Sequence, residues 1–126
     1  KKALLSGMLD HLIQANEKRM NPLDNSDNLL SAFLHKENQM SAAERRASLA
    51  LLAAAAEDPE LLTPAKDYMK RVVDEISQSS QKPMEALTLL LAREGIRFLD
   101  ILEINPMSTK QTQEVLDQLS QRAQEV

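Results

Sequence analysis

One long apolar stretch, residues 83–104, constrains this chain more than any other part of its sequence. It opens with a proline suited to the first turn of a helix, and Asn105-Pro106 would stop that helix. A first row of apolar residues recurs at steps of three and four: Met84, Leu87, Leu91, Gly95, Phe98 and Leu102. A second row runs beside it: Leu89, Ala92, Ile96 and Leu99. Arg93, Arg97 and Asp100 are left for the polar sector.

A helix with that much apolar surface has to be covered on more than one side. The core of the domain can cover one side, and a second protein chain is the simplest cover for the other. Gly95 favours the same interpretation, because a glycine inside a helix costs roughly 1 kcal/mol relative to alanine. It lies in the first row, where the missing side chain would let another backbone approach closely. A neutral small residue is the alternative.

The composition predicts an all-α fold in a single domain. The chain has 126 residues, which is enough for a hydrophobic core, and 43% of them are apolar. Two glycines and few β-branched runs disfavour a sheet protein. Only 2% of the residues are aromatic, so the core must be built from Leu, Ala, Ile, Val and Met side chains.

Helix start and stop signals divide the chain into six helices. Three of them are predicted over residues 2 to about 20, 83–104 and 109–126. The other three are predicted to begin after a Ser26 or Asp27 cap, after Ser41 and at Thr63-Pro64. Capping boxes begin at Ser41 and Ser108, and residues 77–81 form a polar linker. A tight turn joins the last two helices, and this hairpin from two copies would form a four-helix bundle across a two-fold axis.

Charge and cysteine content exclude several classes of function. The formal net charge is −4 and the charges are interspersed, which argues against nucleic-acid binding by this segment itself. The absence of cysteine excludes disulfides and thiol chemistry and fits a reducing cytoplasm. No apolar run approaches the roughly 20 residues of a membrane span. The chain starts at Lys1 rather than at a methionine, so we expect it to be part of a longer protein.

No motif in the sequence predicts catalysis. His11 and His35 are the only histidines, and their spacing matches no metal-binding motif. There is no G-x-S-x-G elbow and no glycine-rich phosphate loop. We therefore expect no enzyme activity, no metal site and no cofactor.

In its order of helices, the chain resembles the C-terminal domain of TetR-family transcriptional regulators. Lys1-Lys2-Ala3-Leu4-Leu5 is similar to the start of the helix that links the DNA-binding and regulatory domains of that family. Residues 51–62, an alanine-rich helix followed by Pro59-Glu60-Leu61-Leu62, resemble its alanine-rich helix and turn. Residues 92–99 resemble its Asp-Gly-Leu helix, with Glu94 where aspartate is commoner.

The resemblance implies a homodimeric, cytoplasmic repressor that senses a small ligand. A helix-turn-helix domain would precede Lys1 and make all contacts with DNA, and ligand binding would alter the spacing of the two DNA-reading heads. The resemblance does not identify the ligand, which we expect to be apolar because the domain is rich in leucine and methionine.

Two sets of residues follow as site predictions. The ligand pocket is expected at Leu9, Leu12, Phe33, Leu34, Tyr68, Met69, Leu91 and Phe98. The dimer interface is expected at Leu89, Ile96, Leu99, Val115, Leu119 and Ala123. The Tyr68 hydroxyl could supply one polar contact to the ligand. The alternative function is a helical adaptor that pairs with another protein and has no small-molecule site.

Overall fold

The computed structural model describes residues 2–20, 30 and 41–126, and in the first helix it describes the side chains of residues 3, 4, 6–11, 13 and 14. The elements are α1 (Lys2–Met20), α2 (Ala42–Glu57), a 3₁₀ helix (Pro59–Leu62), α3 (Thr63–Ser79), α4 (Pro83–Ile101) and α5 (Thr109–Ala123). No strand occurs among the described residues, so the all-α prediction is confirmed for them. None of these helices is long and apolar enough to cross a membrane.

The predicted helix following Ser26 or Asp27 lies outside the described residues, apart from Leu30. Leu30 is helical and 1% exposed, and it belongs to the main hydrophobic cluster. The predicted count of six helices is therefore tested only for the five that the described ranges contain.

Serine side chains fix the starts of α2 and α5. The Ser41 hydroxyl accepts a hydrogen bond from the Glu44 N–H at 3.1 Å. At Ser108 the capping box is complete: its hydroxyl accepts from the Gln111 N–H at 3.1 Å, and the Gln111 side chain accepts from the Ser108 N–H at 3.0 Å. These bonds satisfy donors that the first turn of a helix leaves without partners. Both predicted starts are confirmed.

The boundaries of α3 differ from the prediction at both ends. Thr63 does not cap the helix; it is the first helical residue, continuing directly from the 3₁₀ turn, and makes no side-chain cap. At the other end α3 continues through residues 77–79, which the sequence placed in a linker. Ile76 has no exposed surface, and its carbonyl accepts hydrogen bonds from the Ser80 N–H at 3.1 Å and the Ser79 hydroxyl at 3.4 Å. Packing at Ile76 thus outweighs the low helix propensity of serine.

Helix α4 ends three residues earlier than predicted, because the chain reverses at Glu103. Glu103 has φ 57°, in the left-handed region that glycine usually occupies at this position. The Ile104 N–H donates to the Leu99 carbonyl at 2.9 Å, and the Glu103 N–H donates to the Asp100 carbonyl at 3.1 Å. This pair of bonds is a Schellman motif. The left-handed conformation costs a non-glycine residue on the order of 1 kcal/mol.

The core lies where α3, α4 and α5 pack together. Helix α1 packs against α2 and α3, and α2 also contacts α4. One continuous cluster of buried residues joins α3, α4, α5 and the chain terminus: Leu30, Tyr68, Val72, Ile76, Ala86, Leu89, Leu90, Ile96, Leu116, Leu119, Ala123 and Val126. The Gln81 N–H donates to the Val126 carbonyl at 3.0 Å, which joins the α3–α4 turn to the end of the chain.

A pair of leucine substitutions tests this core. Leu90 has no exposed surface, whereas Leu4 is 69% exposed on α1. We expect Leu90→Ala to lower the free energy of unfolding by roughly 2–5 kcal/mol, through lost burial and the cavity left behind. We expect Leu4→Ala to change it by less than about 0.5 kcal/mol. Equal losses for the two variants in urea denaturation would contradict the packing described.

Candidate functional site

The two sides of α4 differ in burial, and both are largely apolar. The inner face is buried within the chain: Ala86, Leu89, Leu90, Arg93, Ile96 and Ile101. The outer face carries large apolar residues that remain exposed: Met84 at 75%, Leu91 at 63%, Phe98 at 50% and Leu102 at 39%. At roughly 100° of rotation per residue, the centres of the two faces lie on opposite sides of the helix. These four residues belong to the first row of the sequence pattern, whose Leu87 is half-buried and packs against the main cluster.

The residues expected at a dimer interface lie mostly in the core of their own chain. Leu89, Ile96, Leu119 and Ala123 are buried there, and Leu99 is half-buried. Val115 alone among the six is an exposed large apolar residue, at 37%. Four of the six are therefore covered within their own chain, and the role of the set at a dimer interface stays a prediction.

The residues expected around a ligand pocket fall into three groups. Leu9 and Tyr68 are buried, and Met69 is half-buried against the main cluster. Leu91 and Phe98 lie on the outer face of α4, which corrects their expected position inside the domain. The remaining three lie outside what the structure describes: the Leu12 side chain, Phe33 and Leu34.

The structure exposes Leu91 and Phe98 of the first row and buries Leu89 and Ile96 of the second row, which is the reverse of the expected arrangement. This reversal has a simple physical cause. Helical periodicity shows that α4 has two apolar sides, but it is silent on which side meets the core of the domain. Leu90 and Ala86, which belong to neither predicted row, are fully buried, and they widen the buried face well beyond Leu89 and Ile96. These small and large aliphatic residues together decide which side packs inward.

Arg93 was assigned to the polar sector but is 2% exposed, and it is the one charged residue buried in the described core. Its Nη1 lies 2.9 Å from Glu94 Oε1. Burial lowers the pKa of Arg93 from its usual value, and the neighbouring Glu94 carboxylate opposes that shift. Its angular position between Ala86 and Leu89 is the sequence signal that would have placed it inside.

Gly95 lies on the exposed side of α4 among the first-row residues. A Cβ atom built at Gly95 would meet nothing within 4 Å, so no part of the described chain makes use of its missing side chain. The close approach predicted at Gly95 is therefore not made by any residue that the structure describes. Ile104, 59% exposed, continues the apolar surface beyond the end of α4.

Among the clefts lined by described residues, one is apolar and one is polar. An apolar groove of about 600 Å³ runs between the first half of α1 and the start of α2, where Leu4, Met8 and Ala47 line it. A polar cleft of about 420 Å³ lies where α2 meets the α4–α5 turn, with Arg45, Asp100 and Glu103 in its walls. No group of three or more His, Cys, Asp or Glu residues that could hold a metal ion occurs in the described ranges.

Comparison with models of known protein families gives a match over most of the chain. The family described as "Tetracyclin repressor-like, C-terminal domain" matches residues 27–124. No curated protein and no solved structure shows significant similarity to the chain. The matched residues span most of the sequence and include α2 to α5, the elements that form the core and the outer face. The chain belongs to the tetracyclin repressor-like C-terminal domains, which are parts of transcriptional regulators.

Proposed function

We propose that this domain dimerises through the outer face of α4 and senses a small apolar ligand for a transcriptional repressor. The observation that carries the proposal is the exposed apolar row of Met84, Leu91, Phe98 and Leu102 on a helix already packed on its other side. DNA contacts belong to a helix-turn-helix domain of the same regulator, because this segment carries a net charge of −4 and no basic cluster.

Dimerisation removes the outer face from water. Burying one leucine or phenylalanine side chain contributes roughly 1.5–3 kcal/mol, so four large residues on one face are a substantial driving force. A contiguous exposed apolar patch of this kind is a mark of a protein–protein interface. Helices α4 and α5 form a hairpin, and Val115 on α5 adds a further exposed apolar side chain. Two such hairpins make a four-helix bundle about a two-fold axis.

Gly95 supports a second copy as the occupant of this face. The glycine has a cost in helix propensity, and no described residue of its own chain makes a compensating contact with it. In a helix pair it would let the two backbones approach closely, and a two-fold axis brings the same patch of both chains together. The dimer contact proposed here therefore replaces the buried residues Leu89, Ile96, Leu119 and Ala123 with the outer face of α4.

Ligand sensing rests on the interior side of the domain. Leu9 on α1 and Tyr68 and Met69 on α3 are the members of the expected pocket that point away from solvent, and α1 packs against α3. A flexible thioether and a phenol suit an apolar ligand with one polar group. Ligand acts by favouring one of two arrangements of α1 relative to the α4–α5 hairpin, since equal affinity for both would shift nothing.

Placing a carboxylate on the outer face should separate the dimer without unfolding the chain. We expect Leu91→Glu or Phe98→Glu to raise the dissociation constant at least about 100-fold, because the dimer cannot solvate the charge. Sedimentation equilibrium measures the association, and circular dichroism verifies the helix content. Gln78→Glu, which adds the same charge at an exposed site on α3, is the matched control and should leave association unchanged. An unchanged dimer in Leu91→Glu would remove α4 from the interface.

The two helical glycines provide a second test of the interface. A Cβ atom at Gly7 or at Gly95 would meet no described atom within 4 Å, so alanine at either site should stabilise the folded chain by up to about 1 kcal/mol. Only Gly95→Ala should also weaken association, by at least about tenfold, because its methyl group would keep the partner helix away. Thermal unfolding in a Leu91→Glu background measures the first effect and sedimentation the second. If both alanine variants associate like the wild type, no close helix contact occurs at Gly95.

A thermal-shift screen distinguishes a sensor from an adaptor without a ligand site. Screening apolar compounds that carry one polar group should find at least one that stabilises the domain, by about 2.7 kcal/mol at 100 times its Kd. Met69→Ala should abolish that stabilisation, whereas Lys70→Ala, at the next and exposed position, should retain it. A screen in which no compound raises Tm would favour the adaptor.

A further inference from the structure

We infer that the polar cleft between α2 and the α4–α5 turn is a second binding site, for a small zwitterion that carries both an ammonium and a carboxylate group. The cleft has a volume of about 420 Å³ and is lined by opposite charges: Arg45 on α2, and Asp100 and Glu103 at the end of α4. It is separate from the apolar residues proposed for ligand sensing.

The Arg45 guanidinium is engaged only loosely by the protein. Its Nη1 lies 3.4 Å from Glu103 Oε1, longer than the 2.7–2.9 Å typical of charge-assisted hydrogen bonds. Its Nε is shielded from solvent and has no hydrogen-bond partner among the described residues. A guanidinium offers five donors in a planar fork that matches a carboxylate. Because Arg45 makes one long contact through Nη1, its remaining Nη N–H groups are donors for a carboxylate that enters the cleft.

The acidic wall is held in place by a network of hydrogen bonds around Asn105. The Asn105 amide donates to Asp100 Oδ1 at 2.9 Å and to the Thr112 hydroxyl at 3.1 Å. Its own oxygen accepts from the Met107 N–H at 2.9 Å. Asp100 Oδ2 accepts no hydrogen bond from any residue that the structure describes. This oxygen is a positioned acceptor for an ammonium group.

Glu103 adds a second carboxylate at some conformational cost. It occupies the left-handed position of the Schellman motif, where glycine would be the unstrained choice. Glycine would form the same turn without strain, but it would not form the ion pair with Arg45. The strained position is therefore consistent with a role for the Glu103 side chain. The three charged groups sum to −1. The net charge would repel an anion alone, and a cation alone would leave the free Arg45 donors without an acceptor, whereas a zwitterion can pair with both the guanidinium and the carboxylates.

The cleft stays open in the proposed dimer. Asp100 lies nine residues from Leu91, which places it roughly 180° around α4 from the outer face. An occupant would compete with Glu103 for Arg45, and so would act on the contact between α2 and the end of the dimerising hairpin. Binding there is independent of whether the apolar sensing site exists.

Thermal shift and isothermal titration with the twenty L-amino acids, each tested singly, provide the test. We expect at least one to bind saturably. Its amide, which lacks the carboxylate, and its N-acetyl form, which lacks the ammonium, should each bind at least tenfold more weakly.

Variants locate the site. Arg45→Gln and Asp100→Asn should each weaken binding at least tenfold, and Arg46→Gln, an exposed neighbour on α2, should not. Circular dichroism confirms folding, and Glu103→Gln provides a further variant that leaves Arg45 and Asp100 intact. The absence of saturable binding across the panel would overturn the proposal, as would binding that survives both Arg45→Gln and Asp100→Asn.

Discussion

The packing of α4 against α3 is the contact on which the rest of this structure depends. Ile76 and Leu90, one from each helix, have no exposed surface and belong to the same cluster. That contact fixes the rotation of α4 about its own axis. Once the inner face is committed to the core, Met84, Leu91 and Phe98 are necessarily turned to solvent. The proposed dimer is thus a consequence of how the monomer packs, since the same helix supplies both surfaces.

The turn between α4 and α5 joins the two helices into a hairpin. A left-handed Glu103 ends α4, Asn105 joins Asp100 to Thr112, and the Ser108 capping box starts α5. The capping box and the backbone bonds at Glu103 satisfy groups that a helix terminus would otherwise leave without a partner, while the Asn105 amide joins side chains on the two sides of the turn. A firmly closed turn holds the two helices as one unit, which a bundle formed by two hairpins requires. It also positions the carboxylates that face Arg45 across the polar cleft.

Local features of this fold could be predicted from the sequence, whereas features that depend on tertiary packing could not. The starts at Ser41 and Ser108 could be predicted because a cap is decided within four residues. The all-α class follows from composition and periodicity. The left-handed turn at Glu103 carries no glycine to signal it, and the continuation of α3 through Ser79 depends on the burial of Ile76. Both are decided by contacts with other parts of the chain.

The candidate site shows the same division. The first row on α4 could be recognised as a coherent apolar surface, but assigning it to a pocket or to an interface needed the position of α3. Arg93 shows that residue type can also mislead: charged residues are rarely buried, yet Arg93 is buried in the core. Its angular position between Ala86 and Leu89 was the better guide.

The central claim is that the outer face of α4 meets the same face of a second copy. Isotope-filtered nuclear Overhauser spectroscopy on a mixture of labelled and unlabelled chains tests it most directly, because only contacts between copies give signals. The account predicts such signals from the Met84 and Leu91 methyl groups and the Phe98 ring, and none from the Leu90 methyl groups, which are buried in their own chain. Signals from α3 or α1 instead of α4, or no signals between copies at millimolar concentration, would contradict it.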